Sequence, residues 1–520
     1  MQTPKRHAFP ASRLVGSSAA VLIAGAALAA LGRASDPEPA LASVATQAAP
    51  AAPAVAPPAA DAGAALERAL ATVSVEEMKS DLYFIASDEM RGRDTPSPEQ
   101  RIVARFIRAR LQRLGFTPGG RDGGFLYEYK WPQQGLDVAN TGATLTIGGA
   151  TQKLEWAQDY FLAQGAYGKR TVAGHLVWGG TLEDRALEEL DLAGAIVVIQ
   201  PLERMPSTRR IQALEKAGAV GVAVLPFGDV EKQYSDLARR NNWYRGQRLT
   251  NGTVKDDASF PVMHLAPKIA AEVGKLVPKE AQLGERLPAT MTESCDFGRR
   301  DDAVLENVCG FWPGSDPVLK NEVILLSAHY DHVGVRGTDG EVFNGADDNG
   351  SGTTGLLAIA EALKAYGPMR RSVMLIWVSG EEKGLYGSKA WTEDPSLPEG
   401  TRPLCNVNID MIGRNASDQL LITPTKDHPS YSLLTKTAER NAAAEGFTTL
   451  GSADAYWRRS DHMNFADNLG IPVAFLFADV HEDYHKVTDT PDKINYDKAA
   501  RVVRLVLRML QDLQIDAPKF

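Results

Sequence analysis

Cysteine is scarce in this chain. There are three in 520 residues, Cys295, Cys309 and Cys405, and none forms a C-x-x-C pair. That argues against a disulfide framework, while one bridge remains feasible in an oxidising compartment. A basic excess is also missing: 56 Lys and Arg stand against 65 Asp and Glu, a net charge of −9. With a pI near 5.6, that argues against nucleic acid as a partner. Long apolar runs are missing beyond residue 31, where nothing approaches the roughly 20 apolar residues of a spanning helix. What remains is a chain with 23% charged residues, too long for one core, which predicts two globular domains with appendages.

The first 34 residues read as an export leader. Lys5, Arg6 and Arg13 form a basic start, Ala19 to Leu31 an apolar centre, and Ala27-Leu28-Ala29 and Gly32-Arg33-Ala34 offer cleavage points. The apolar centre is short for a membrane span, and no cysteine follows it for lipid attachment. The expectation is an exported chain, periplasmic or secreted, with no stable membrane span after cleavage. Residues 35–64 are Ala- and Pro-rich and cannot bury enough area to offset their ordering entropy, so they read as a linker. Helical spacing runs over 65–86, and a polar loop over 87–96. Ser97-Pro98 then predicts an N-cap and first-turn proline for a helix closed by Gly115. Arginines 101, 105, 108, 110 and 113 fall mostly off its apolar stripe, as on a solvated face.

Between 160 and 290, strand-like runs (175–178, 195–199, 220–225) alternate with a helical stretch, 210–217. His175 and His264 each stand alone there, as hydrogen-bonded structural histidines do. From Val304 onward, strands at 323–328, 373–379, 406–410, 420–423 and 473–477 alternate with helices at 351–366, 431–445, 462–469 and 499–513. That rhythm predicts a three-layer α/β fold with a mostly parallel mixed sheet, whose ligand crevice lies beyond the carboxyl ends of its strands. His329, Glu381, Glu382, Asp410 and His485 all fall there.

Each polar group has an ordinary reading by itself. His329 and Asp331 fit a bonded loop pair, Asp347-Asp348-Asn349-Gly350 fits a turn, and Glu381-Glu382 fit first-turn acids on a helix dipole. Together they put several carboxylates and two histidines at one end of one sheet, where like charges repel unless a cation joins them. Histidine with carboxylates suits a cation such as zinc. Of two adjacent glutamates, one can bind metal while the other stays free as a general base, and a carboxylate can bridge two cations about 3.5–4 Å apart. Asp331, two residues after His329, can hold the other imidazole nitrogen.

His329-Tyr330-Asp331, Gly345 to Gly352 (GADDNGSG), Ser379 to Ser388 (SGEEKGLYGS), Asn408 to Gly413 (NIDMIG), Ser460-Asp461-His462 and Tyr484-His485 occur in that order. As a set they resemble the di-zinc exopeptidase family of bacterial leucyl aminopeptidases and glutamate carboxypeptidases, metallopeptidase family twenty-eight. The likeness covers about residues 75–135 and 300–515. Gly194 to Val198 and Ala213 to Leu225 resemble a small β-rich protease-associated domain inserted between them. The resemblance implies an N-terminal part of the catalytic domain at 65–160, the insert at 161–295 and the remaining catalytic domain at 296–520. It implies two zinc ions, one bound by His329 and Asp410, the other by Glu382 and His485, with Asp348 bridging. Glu381 would be the general base, Tyr484 would polarise the scissile carbonyl, and Asp331 would support His329. Asp461 and His462 would form pocket wall, while His332, His428 and His481 match no ligand position.

The activity implied is removal of N-terminal residues from peptides. A carboxypeptidase or dipeptidase would need a cationic anchor, for which Arg336, Arg414, Arg458 and Arg459 stand close to motifs. A glutaminyl cyclase with one zinc and a non-catalytic receptor-like protein are the readings from other classes. Nothing in the residues sets side-chain specificity or oligomeric state.

Overall fold

The structure is a computed structural model that describes residues 59–515, apart from 164–166, 183–189, 245–246, 251–258, 337–339 and 449. The expected leader and nearly all of the expected linker lie outside the described residues. The last part of that linker differs from expectation, because a helix, Ala59–Ala71, already runs through it. The helical spacing over 65–86 divides between this helix and Val75–Ile85, where Ser74 accepts from the amide of Glu77 and starts a new helix. Among the described residues no helix is long and apolar enough to cross a membrane.

The C-terminal half of the described chain is built on a mixed sheet. Strand Glu322–His329 lies between parallel neighbours Ser372–Val378 and Arg402–Asp410, and Val473–Phe477 extends the parallel set. Leu420–Thr423 and the long strand Arg286–Trp312 add antiparallel strands on either side. Alternation within each strand divides the two faces. Ile324, Leu326 and Ala328 join one buried cluster with helices Gly352–Tyr366 and Tyr496–Ile515, while Val323 and Leu325 join another with Trp391 and Phe465. Both faces are therefore dry, and helices cover each, as the three-layer expectation requires. Fully burying each such aliphatic side chain is worth about 1.5–3 kcal/mol. The strand ends that carry the polar residues thus emerge from a sheet buried on both faces.

A second hydrophobic core gathers Leu145, Leu176, Val197, Val222, Met263 and Met291 around a second sheet. The long strand serves both sheets. Its first half pairs with Gly142–Ile147 and Lys169–Trp178, its second half with Leu126–Leu136 and Ser372–Val378. Two expected boundaries move in consequence. The break placed between 295 and 296 falls inside this continuous strand, and residues 142–154 pack with the second core instead of the first. Periodicity could not show this, because one uninterrupted strand carries no turn signal where it changes partners. Cys295, Cys309 and Cys405 are buried and none is bonded to another.

Ser97 caps helix Pro98–Leu114 by accepting from Gln100, and Gly115 closes it in the left-handed conformation. Its arginines are not simply solvated, however. Arg105 pairs with Glu306, while Arg110 and Arg113 meet at Glu361. They fasten the helix to the long strand and to helix Gly352–Tyr366.

Candidate metal centre

Four strands and one irregular turn deliver the polar side chains to one point. His329 and Asp410 are the last residues of their strands. Glu381 and Glu382 follow strand Ser372–Val378 through a sharp turn at Gly380. That residue has φ +69°, and an added Cβ would lie 3.3 Å from Tyr386 Cβ and 3.5 Å from the Tyr129 hydroxyl. Asp348 sits in the turn before helix Gly352–Tyr366, and His485 lies on the loop after Val473–Phe477.

His329 Nε2 is 3.4 Å from Asp348 Oδ1 and 3.3 Å from Asp410 Oδ1. On the other side, His485 Nε2 is 3.0 Å from both Asp348 Oδ2 and Glu382 Oε2. Asp348 thus offers one oxygen to each group. His329 Nε2, Asp410 Oδ1, Glu382 Oε1 and His485 Nε2 are buried without a hydrogen-bond partner among the described residues. They approach one another at contact distance but not along hydrogen-bonding directions. Side chains aimed at a common point between them produce this pattern, whereas polar groups satisfying each other do not. Two sets of donor atoms result, one of His329, Glu381 and Asp410, the other of His332, Asp348, Glu382 and His485, each within 4.8 Å internally. Imidazole and carboxylate donors in such sets fit zinc.

The electrostatics follow from burial. It disfavours ionisation of Asp348, but the surrounding His329, His332 and His485 hold its carboxyl well below the ordinary range. Burial pushes Glu381 well above it, opposed by His329 and reinforced by Glu382. Two carboxylates that line one recess are thereby driven in opposite directions, one toward permanent charge and the other toward holding a proton.

Supporting residues fix these groups. Arg93, fully buried, donates to the main-chain carbonyls of Ile85, Tyr330, Asn344 and Gly345, joining the loops on which His329 and Asp348 stand. Asp489 accepts from the amides of both Asp347 and Asp348. His481 Nε2 lies 3.3 Å from Asp347 Oδ2, so the loop bearing Tyr484 and His485 grips the acidic turn twice. Ser460 donates to Asp410 Oδ2, and Thr95 and Asn307 accept the amides of Gly380 and Ser379. Residue order does not single out Arg93, Asp489 or His481, since each stands among other polar residues and far along the chain from its partner.

Some expected roles change. His329 Nδ1 faces the main-chain oxygen of Asp331 at 3.2 Å, and the Asp331 carboxylate, 3.7 Å from that nitrogen, also accepts from the Glu381 amide. Asp331 therefore ties the histidine loop to the glutamate turn. Asp461 and His462 stand behind the pocket wall: Asp461 accepts from Ser388, and His462 stacks on Phe475 with centroids 4.6 Å apart. His332, dismissed above for lack of a motif position, lies inside the site, its Nδ1 2.8 Å from Glu382 Oε1. The available signal was its spacing, three residues after His329 in the same loop.

Beside the carboxylates opens a recess walled by Met411, Tyr456, Phe475, Phe477 and Tyr484, with Arg459 also lining it. Tyr484 stacks on His485 with centroids 4.0 Å apart. Of the four cationic anchors considered above, Arg459 alone lines this recess among the described residues, and Arg414 is engaged with Asp483. Replacing Asp489 with alanine removes the acceptor that orients the Asp348 turn. Zinc affinity is expected to fall by about 10–100-fold, read by competition with a chromophoric chelator.

Residues 307–510 match the model described as Peptidase family M28. Over 208 residues the chain is 30% identical to a probable leucine aminopeptidase of Trichophyton verrucosum, covering 38% of this chain and 56% of that protein. It is 28% identical over 193 residues to aminopeptidase YwaD of Bacillus subtilis, covering 36% and 40%. The chain thus spans about half the length of these relatives. Among solved structures, the zinc aminopeptidase BSAP of Bacillus subtilis aligns with a TM-score of 0.47 at 18% identity, over 86% of this chain and 96% of that one.

Proposed function

We propose that this chain is an exported zinc-dependent aminopeptidase that removes N-terminal residues with apolar side chains from peptides. The observation carrying this reading is the adjacency of convergent, unpartnered donors to an aromatic recess. In it, His329, Asp410 and Asp348 would hold one zinc, and Glu382, His485 and Asp348 would hold the other. Zinc bound there supplies a Lewis acid and a water of lowered pKa. Glu381 accepts a proton from the attacking water and delivers it to the departing amine, a task suited to a carboxyl whose affinity for protons burial has raised. The Tyr484 hydroxyl, on the wall of the recess, donates to the oxygen that becomes negative as the carbonyl is attacked. The substrate's apolar side chain occupies the space between Met411, Tyr456, Phe475 and Phe477.

A panel of leucyl, phenylalanyl and glutamyl anilides, each free and N-acetylated, tests the reading. Cleavage of the free leucyl and phenylalanyl compounds is expected, with loss of at least about 100-fold on acetylation and complete loss in chelator, restored by zinc. Arg459 favours one second reading, in which a substrate carboxylate is held at the recess. Preferential turnover of N-blocked dipeptides would select it and displace the aminopeptidase. Conversion of a glutamine-starting peptide to its cyclic form, or no turnover of any substrate, would displace both.

A further inference from the structure

We propose that His332 is itself a ligand of the cation held by Asp348, Glu382 and His485, so that this subsite has four protein donors; the inference rests on the metal-centre reading above. The imidazole is fully buried, and neither ring nitrogen has a hydrogen-bond partner among the described residues. A neutral imidazole carries one donor and one acceptor, and leaving both unused in a dry interior is costly. The ring nevertheless sits in a slot made for it. At Gly345, with φ +59°, an added Cβ would lie 2.3 Å from His332 Cγ and 2.4 Å from Cδ2. Only glycine leaves room for the ring there, and the His332 amide donates to the Arg93 carbonyl at 3.3 Å, pinning the main chain beneath it.

The aim of the ring identifies its partner. Nδ1 is 2.8 Å from Glu382 Oε1 and 3.7 Å from Asp348 Oδ2, without the alignment of a hydrogen bond to either. Donors arranged tetrahedrally around zinc at about 2.0–2.2 Å lie roughly 3.4 Å apart, and the observed separations bracket that value. His329, Asp410 and the other oxygen of Asp348 give the neighbouring subsite three protein donors. The two subsites are therefore unequal. The four-donor subsite fills first and releases its ion last, and the three-donor subsite keeps more room for water and substrate.

The test uses the full chain, freed of metal and titrated with zinc. X-ray absorption of the unaltered protein at one zinc equivalent is expected to show two imidazoles on the ion; one imidazole at both one and two equivalents overturns the proposal. In parallel, His332→Gln and His485→Gln are titrated against a chromophoric chelator. His332→Gln is expected to weaken one of two binding steps by about 10-fold or more and leave the other unchanged. The melting temperature of the metal-free variant should match that of the metal-free parent, which separates ligand loss from misfolding. Glutamine can still donate a hydrogen bond to Glu382, so parental affinity in His332→Gln means that the histidine is not a ligand. If His485→Gln loses a step and His332→Gln does not, only the role of His332 falls. If the parent chain takes up no zinc, the metal-centre reading falls with it.

Discussion

Glu381→Ala is expected to lose about 10²–10⁴-fold in kcat on a leucyl anilide while binding as much zinc as the parent chain. The reason lies in how differently the two adjacent glutamates are held. Glu382 is turned toward His485 and His332, whereas Glu381 faces the recess with its amide fixed by the Asp331 carboxylate. Removing Glu381 leaves the donors of the Glu382 subsite in place and takes away the group proposed to carry the proton between water and leaving amine. Rate and metal content should therefore separate: elemental analysis near the parental value, kcat reduced, KM little altered. The corresponding change at Glu382 should lose both together. Parental kcat in Glu381→Ala would remove it as the base, and lost zinc would recast it as a ligand.

The second large effect is on stability. Arg93→Met is expected to destabilise the metal-free chain by more than about 4 kcal/mol, measured by urea denaturation with an unchanged m-value. Arg93 satisfies four main-chain carbonyls at 2.6–3.0 Å in a fully buried setting. Leaving such acceptors unpaired costs about 1–3 kcal/mol each, and methionine can satisfy none of them. Burial lowers the guanidinium to about 10, with Asp331 and Asp348 opposing that shift, so it remains charged at neutral pH beneath the carboxylates. Lysine would not substitute, because a single ammonium cannot span carbonyls on three separate segments. A loss below about 1 kcal/mol would mean that these loops hold their positions without the arginine.

Much of this molecule is legible from residue order. Strands Leu420–Thr423 and Val473–Phe477 and helix His462–Leu469 begin and end where hydrophobic periodicity and flanking turn residues place them. Ser97, Pro98 and Gly115 mark their helix because capping is a local interaction among near neighbours. The location of the polar cluster follows as well. Parallel strands share one carboxyl-terminal end, so residues just after each buried run must meet there.

What residue order could not decide is every relation between groups distant along the chain. The long strand Arg286–Trp312 joins two sheets with no local signal of the change of partner. Arg93 looks like any loop arginine until four carbonyls from three segments converge on it. Asp331 does stand beside its nearest histidine, but residue order does not show that the same nitrogen also meets the Asp331 main-chain oxygen or that the carboxylate also accepts from the Glu381 amide. His332 matches no motif position, and only the slot at Gly345 and the approach of Glu382 and Asp348 give it a task. Sequence determines which chemistries are present and at which end of the sheet they gather. Tertiary structure decides which atom faces which, because in a buried site a shift of one ångström separates a ligand from a neighbour.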